Sequence, residues 1–295
     1  MATTAVEQEL PREEETTAQR ILRFLARAPI HIILIAVGIF WLIPTLGLFL
    51  TSLLDPTQFT EQGWWNIISE PSLATLDNYD QVFNTEAITS ALWTTVLISV
   101  GGTVLPIFVA AMAGYAFAWL EFPGRDWLFI AVIAMLVVPI QMALIPIFSL
   151  YSNVGLFDTV LGLILFHTAF GLPFAIFLLR NYFAGIPRDI LESARIDGAT
   201  ERQIFFRLML PLGLPAIASL AIFQFLWTWN DLVVALTFGQ TVTPVTVAIF
   251  SDLRQFGANI QLIAPASFLS LLVPLAVFFT FQRYFVQGLL AGSVK

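Results

Sequence analysis

Cysteine is absent from this 295-residue chain, which excludes disulfides, thiolate metal sites and thiol nucleophiles together. Histidine occurs twice, at His31 and His167, so no histidine-built metal centre is expected and no metal ligand is assigned. Lysine occurs once, as Lys295, so a GxxxxGK[ST] loop that cradles phosphates has no place in the sequence. Charge is scarce as well: 11% of residues carry it, against about 25% in soluble domains. The apolar runs show neither paired carboxylates nor a His–Asp arrangement of the kind that marks a hydrolytic site or proton relay. No catalytic residue and no cofactor are therefore expected in this chain.

What is present is hydrophobic length. Hydrophobic residues make up 58% of the chain, and mean hydropathy is +0.85. Six segments approach the roughly 20 apolar residues needed to cross a bilayer, near 29–53, 89–118, 127–150, 159–182, 212–236 and 264–287. The expected fold class is an all-α integral membrane protein with six transmembrane helices. Gly101, Gly102, Pro106, Pro139, Pro146, Gly171 and Pro173 fall inside these segments, where neighbouring helices supply packing and hydrogen bonds. Ala110, Ala111, Ala113 and Gly114 would let helices approach closely.

Arginine placement sets the orientation. Arg12, Arg20, Arg23 and Arg27 precede the first segment, and Arg125 lies in the second loop. Arg180, Arg188, Arg195, Arg202 and Arg207 lie in or beside the fourth loop, and Arg283 and Lys295 follow the last segment. All share one face, which the positive-inside rule makes cytoplasmic, giving an N-in, C-in topology. The other face has Arg254 as its lone cation against Asp55, Glu61, Glu70, Asp77, Asp80, Glu86, Asp158 and Asp252. Residues 1–28 read as a cytoplasmic tail, 29–290 as the membrane domain and 291–295 as a second tail. The acidic run Glu7 to Glu15 and the long first apolar segment do not resemble a cleaved leader.

Between the fourth and fifth segments, residues 184–211 form a polar island. Pro187 suits the first position of a helix that runs to Ile196. Gly198 falls where a left-handed C-terminal turn belongs. Thr200 and Gln203 have capping-box spacing for a second helix carrying Ile204, Phe205, Leu208 and Met209 up to Pro211. Helix, glycine turn, helix makes a rigid knob suited to docking.

The knob resembles the EAA motif of ABC-importer permeases. Glu192-Ser193-Ala194 stands at the Glu-Ala-Ala triplet, Asp197-Gly198-Ala199 at the glycine segment and Leu208-Met209-Leu210-Pro211 at the end. Serine replaces the middle alanine, and Leu208 the commoner isoleucine. Leu76-Asp77-Asn78-Tyr79, Gly114 to Ala118, Phe122 to Arg125, Trp229-Asn230-Asp231 and the run from Gln282 to Lys295 look like the carbohydrate group, in particular its shorter, six-span, maltose-type member. The resemblance implies the type I ABC-importer permease fold in a prokaryotic cytoplasmic membrane. It also implies a second homologous permease, two ATPase subunits that bind ATP and Mg, and an extracytoplasmic solute-binding protein; nucleic acid is not an expected partner. Glu192, Ser193, Ala194, Asp197, Gly198, Ala199, Phe205 and Pro211 become the expected ATPase-coupling residues. Gly292 to Lys295 become a possible second contact.

Polar side chains at membrane depth mark candidate paths. Gln141, His167, Gln224, Asn230 and Asp231 qualify, with Trp227 and Trp229 beside the last pair as aromatic faces for a sugar ring. The same residues also suit a bland role: Asn230 and Asp231 as hydrogen-bonding or helix-ending groups, and His167 as a packed interhelical residue. Scarce outer cations fit a neutral sugar or oligosaccharide better than an anion, and Asp252 to Gly257 look similar to permeases of α-glucoside or related disaccharide systems. An ABC importer of another solute, such as glycerol phosphate, is the nearest alternative. A stand-alone secondary transporter and a non-transporting scaffold are the others.

Overall fold

A computed structural model describes residues 17–58, 63–253 and 259–291, with side chains described for 28–58, 63–252 and 259–284. Arg254, Glu61 and the 292–295 tail lie outside the described residues. Among those described, regular structure is helical, with one isolated antiparallel bridge between Leu54 and Ala74. A bilayer offers no water to backbone groups, so each apolar segment closes its hydrogen bonds internally.

Helix α1 (Thr17–Leu53) leads to a connecting segment containing α2 (Asp77–Asn84). Buried Asn78 donates to the carbonyls of Ser52 (3.0 Å) and Leu54 (2.7 Å), tying α2 to the end of α1. The long α3 (Glu86–Trp119) packs along α6 (Val160–Ala184). Small residues permit the contact. A Cβ on Gly114 would lie 3.0 Å from the Arg180 nitrogen, and Ala110 and Ala111 are buried beside it. Between these helices run α4 (Arg125–Ala134) and α5 (Ile140–Val154). After α6 come α7 (Arg188–Ile196) and α8 (Glu201–Ile204), then α9 (Leu214–Trp229), α10 (Val233–Phe238), α11 (Val245–Leu253) and α12 (Ile260–Ala291). Helix α9 packs on α3 and α12, and α12 on α1.

Among the described residues, four helices are long and apolar enough to cross a membrane, and six segments qualify if each of two bent pairs is one span. The expected third segment, 127–150, is bent by 102° between Val137 and Ile140. Pro139 lacks an N–H and holds Val138 extended (φ −70°, ψ 113°), so α4 and its terminal turn stop and α5 starts afresh. Pro146, by contrast, stays inside α5. The expected fifth segment, 212–236, ends its helix at Trp229 and is preceded by a 70° bend at Gly213. Pro215, with no N–H to extend the preceding ladder, stands at the start of α9. Sixteen residues give α9 about 24 Å, short of a hydrocarbon core of about 30 Å.

Candidate functional site

The polar island 184–211 folds as the sequence pattern requires. Pro187 is the N-cap of α7 rather than its first residue, since helical geometry begins at Arg188. At the other end Gly198 has φ +81°, a left-handed conformation that glycine adopts without a Cβ penalty. The Gly198 N–H donates to the Arg195 carbonyl and the Ala199 N–H to the Ala194 carbonyl, both at 3.0 Å, which is the Schellman pattern. Thr200 then caps α8: Gln203 N–H donates to its hydroxyl (3.3 Å), and Thr200 N–H donates to Gln203 Oε1 (2.8 Å). A π-helical turn, Phe205–Met209, follows.

Beneath the knob lies a packed core. Leu191, Ile204, Phe205 and Met209 are buried against Tyr115 and Phe117 of α3 and Leu179 and Phe183 of α6. Trp119 Nε1 donates to the Phe183 carbonyl at 3.0 Å. Glu201 ties the parts together, accepting from Arg195 Nε (2.9 Å) and from the Tyr115 hydroxyl. Partial burial raises the Glu201 carboxyl, but the Tyr115 and Arg195 hydrogen bonds and the Arg195 charge outweigh it, so its pKa falls below the ordinary value.

Of the residues expected to couple, Glu192, Ser193, Asp197, Gly198 and Pro211 are exposed, while Ala194 and Ala199 are half-buried beneath the tip. Phe205 points inward, its ring 5.5 Å from that of Tyr115, so its contribution is support from below. Sequence reasoning missed Ile196, which is 85% exposed at the end of α7, an apolar residue presented at the tip.

The polar residues at depth separate by role. Gln224 is buried, and its amide nitrogen donates to the carbonyls of Gly102 (3.0 Å) and His167 (3.3 Å), joining α9 to α3 and α6. Contrary to the expectation of no His–Asp arrangement, His167 and Asp231 come together with Nε2 3.7 Å from Oδ2, because helix packing joins residues 64 positions apart in the chain. The Asp231 carboxylate accepts from the Val234 (3.2 Å) and Ala235 (2.9 Å) N–H groups, capping α10. With Thr95, Thr228 and Pro244, the pair borders a void of about 10 Å³. Asn230 is exposed, with its amide donating back to the Leu226 carbonyl at 2.8 Å. Gln141 is exposed near the start of α5, and neither it nor Asn230 is among the groove-lining residues described next.

Two adjoining grooves run between α6 and α9. One, of about 390 Å³, is lined by Phe170, Phe174, Phe223, Gln224 and Trp227 among others. The other, about 650 Å³, shares Phe174 and Phe223 and reaches Asn181, Tyr182 and Ile190 beside the knob. Among the described residues, no charged side chain lines either groove. Trp227 is 40% exposed there and meets the His167 ring edge-on at 5.5 Å. Trp229 is instead buried, donating to the Ser270 carbonyl (3.1 Å). The groove phenylalanines were not legible in the sequence, because a path-facing phenylalanine reads the same as a lipid-facing one.

Before α6, the Asp158 carboxylate accepts from the N–H groups of Gln240 (2.7 Å), Thr241 (2.9 Å) and Val242 (3.0 Å) and from the Thr241 hydroxyl (2.7 Å). Slight desolvation raises its carboxyl, but these donors hold it down at about 2. The latch joins the turn before α6 to the loop after α10.

Comparisons with known proteins place this geometry. Residues 102–290 match the family described as "Binding-protein-dependent transport system inner membrane component". The chain is 46% identical over 282 residues to the "Osmoprotective compounds uptake permease protein" of Synechocystis sp., covering 94% of this chain and 95% of that relative. It is 50% identical over 233 residues to the "Alpha-glucoside transport system permease protein" of Rhizobium meliloti, covering 76% of this chain and 61% of the relative. The fold matches a chain of a bacterial ABC transporter involved in the import of the acidic polysaccharide alginate, with TM-score 0.70 and 19% identity, over 93% of this chain and all of that one.

Proposed function

The chain belongs to the family of binding-protein-dependent transport system inner membrane components, and from that premise we propose that it is the permease subunit of an ATP-driven ABC importer for a neutral sugar or oligosaccharide. ATP hydrolysis falls to a separate subunit, as is usual for this family. The partners are a second homologous permease, two ATPase subunits and an extracytoplasmic binding protein. In this reading 29–290 is the permease domain, crossing a prokaryotic cytoplasmic membrane six times with both tails inside, and each bent pair is one broken crossing. The uncharged grooves support a neutral cargo, since an anion would call for arginine or lysine along its route. The relative named for α-glucoside transport supports the sugar class.

One observation carries the coupling role: the knob is capped at both helix ends, seated on a core shared with α3 and α6, and exposed at its tip. Such a body moves as a unit. When ATP closes the ATPases, the knob (184–211) shifts, and α6 and α9, which flank it in the chain, shift with it. The groove between them opens outward to take sugar from the binding protein, and hydrolysis resets it inward. Trp227 offers an aromatic face to the ring, and Asn230 a hydrogen-bonding amide to a hydroxyl. Gln224, His167 and Asp231 hold the walls in place by the contacts described above. An affinity pull-down from native membranes in mild detergent tests the reading. The wild type should bring down an ATPase and a second permease, and Gly198→Glu should lose the ATPase alone. A wild type that emerges by itself refutes the proposal.

A further inference from the structure

Helix α3 is not adjacent in the chain to the knob, yet the knob holds it. Tyr115 lies on α3, 86 residues before Glu201, with its ring buried and its hydroxyl donating to Glu201 Oε2. The second oxygen of the same carboxylate accepts from Arg195 in the last turn of α7. Glu201 itself opens α8. One carboxylate therefore joins the end of α7, the start of α8 and α3, with charge-assisted hydrogen bonds that are stronger and more directional than neutral ones. Phe205, in the π-helical turn that follows α8, packs its ring 5.5 Å from that of Tyr115.

The other end of α3 carries consequences. It is one continuous helix, and Thr95 lies about 30 Å along it from Tyr115. There the Thr95 hydroxyl accepts from the Val245 N–H at 2.8 Å, and one turn or two inward the Gly102 carbonyl accepts from Gln224. Displacing the knob while α3 stayed behind would leave a phenol hydroxyl in a buried setting without its acceptor, an outcome that packed interiors avoid.

We infer that Glu201 and Tyr115 are positioning residues that carry displacement of the knob into α3, and through α3 to the α9–α11 region at the outer end of the groove. The inference rests on the coupling role proposed for the knob. Helices α6 and α9 follow the knob because the chain connects them to it; α3 packs on the knob's apolar core, and this carboxylate adds the directional bonds that hold it in register.

The cysteine-free sequence makes the test direct. Spin labels go on Asp189→Cys, exposed in the first turn of α7 and outside the expected coupling residues, and on Ser90→Cys, exposed near the start of α3, in the full importer with its cognate subunits in nanodiscs. In the otherwise wild-type protein, the label-to-label distance should stay constant between the nucleotide-free and ATP–vanadate states. In Tyr115→Phe and in Glu201→Gln it should change or broaden by several ångström on ATP–vanadate, with ATPase association retained. The double variant should show no larger change than either single one, since both remove the same link. Distances in the variants that match the wild type in both states overturn the inference, as does a wild-type distance that itself changes. Gly198→Glu separates this outcome from failure of the underlying reading. If Gly198→Glu keeps the ATPase bound, the docking role is wrong. If it loses the ATPase while Tyr115→Phe and Glu201→Gln behave as wild type, only the link to α3 is wrong.

Discussion

Substitutions at Gly198 should weaken ATPase docking in the order of their tolerance for left-handed backbone. Gly198 sits at φ +81°, and a Cβ added there meets nothing within 4 Å. Steric clash inside the chain is thus negligible, and the intrinsic cost is conformational. For alanine it is about 1–2 kcal/mol, the penalty for a single L-residue in this region. Asparagine visits the region more readily and should cost less, while valine, branched at Cβ, should cost more. A shift of about 1–2 kcal/mol changes the population of the capped turn about 5- to 30-fold. What is lost are the two 3.0 Å bonds from Gly198 and Ala199 that end α7. Amide exchange at Gly198 and Ala199, measured beside ATPase affinity in detergent, should rank glycine, asparagine, alanine, valine on both scales. Gly198→Glu has the backbone cost of an ordinary L-residue plus its bulk, so any excess over alanine measures a clash with the partner. Affinity that stays flat while exchange follows the ranking would refute the claim that this turn shapes the docking surface.

Other outcomes follow from the site. Gln224→Ala removes two interhelical hydrogen bonds and should cost about 1–2 kcal/mol; it should lower the midpoint of thermal unfolding in detergent without altering which sugars are taken up. Asn230→Ala, whose side chain is exposed and bonded only within its own helix, should reduce uptake while assembly and binding-protein-stimulated ATPase stay intact. Asp158→Asn should speed amide exchange at Gln240 to Val242 at neutral pH. Because the Asp158 carboxyl is held at about 2, below its unfolded value of about 3.9, the latch's contribution is complete above that unfolded value and is lost as pH falls towards 2. The exchange difference between wild type and Asp158→Asn should therefore be constant from pH 5 to pH 8.

The knob was legible because its determinants are local. Pro187, Gly198 and the Thr200–Gln203 pair each act within a few residues, and the structure differs in making Pro187 the cap and in ending α8 at Ile204, with a π-helical turn over Phe205–Met209. The membrane segments were legible as hydropathy but not as helices. Pro139 ends a helix, whereas Pro106, Pro146 and Pro173 ride inside theirs, and nothing local separates the two behaviours. The polar residues at depth were found, but their partners were not. Gln224 bonds a carbonyl 122 positions away, His167 meets Asp231 across 64, and Tyr115 meets Glu201 across 86. Contacts at such separations are fixed by helix packing, which a single sequence does not display. The small residues from Ala110 to Gly114 did signal one close contact, that of α3 with α6, without naming the partner helix.

The most direct test of the account is uptake of radiolabelled neutral glucosides, maltose and trehalose among them, into proteoliposomes holding this chain with its cognate permease and ATPases. Accumulation of at least one that requires ATP on the ATPase side and binding protein on the other, and that survives ionophores, is the predicted result. Uptake by this chain alone, abolished by ionophores and indifferent to ATP, would contradict it.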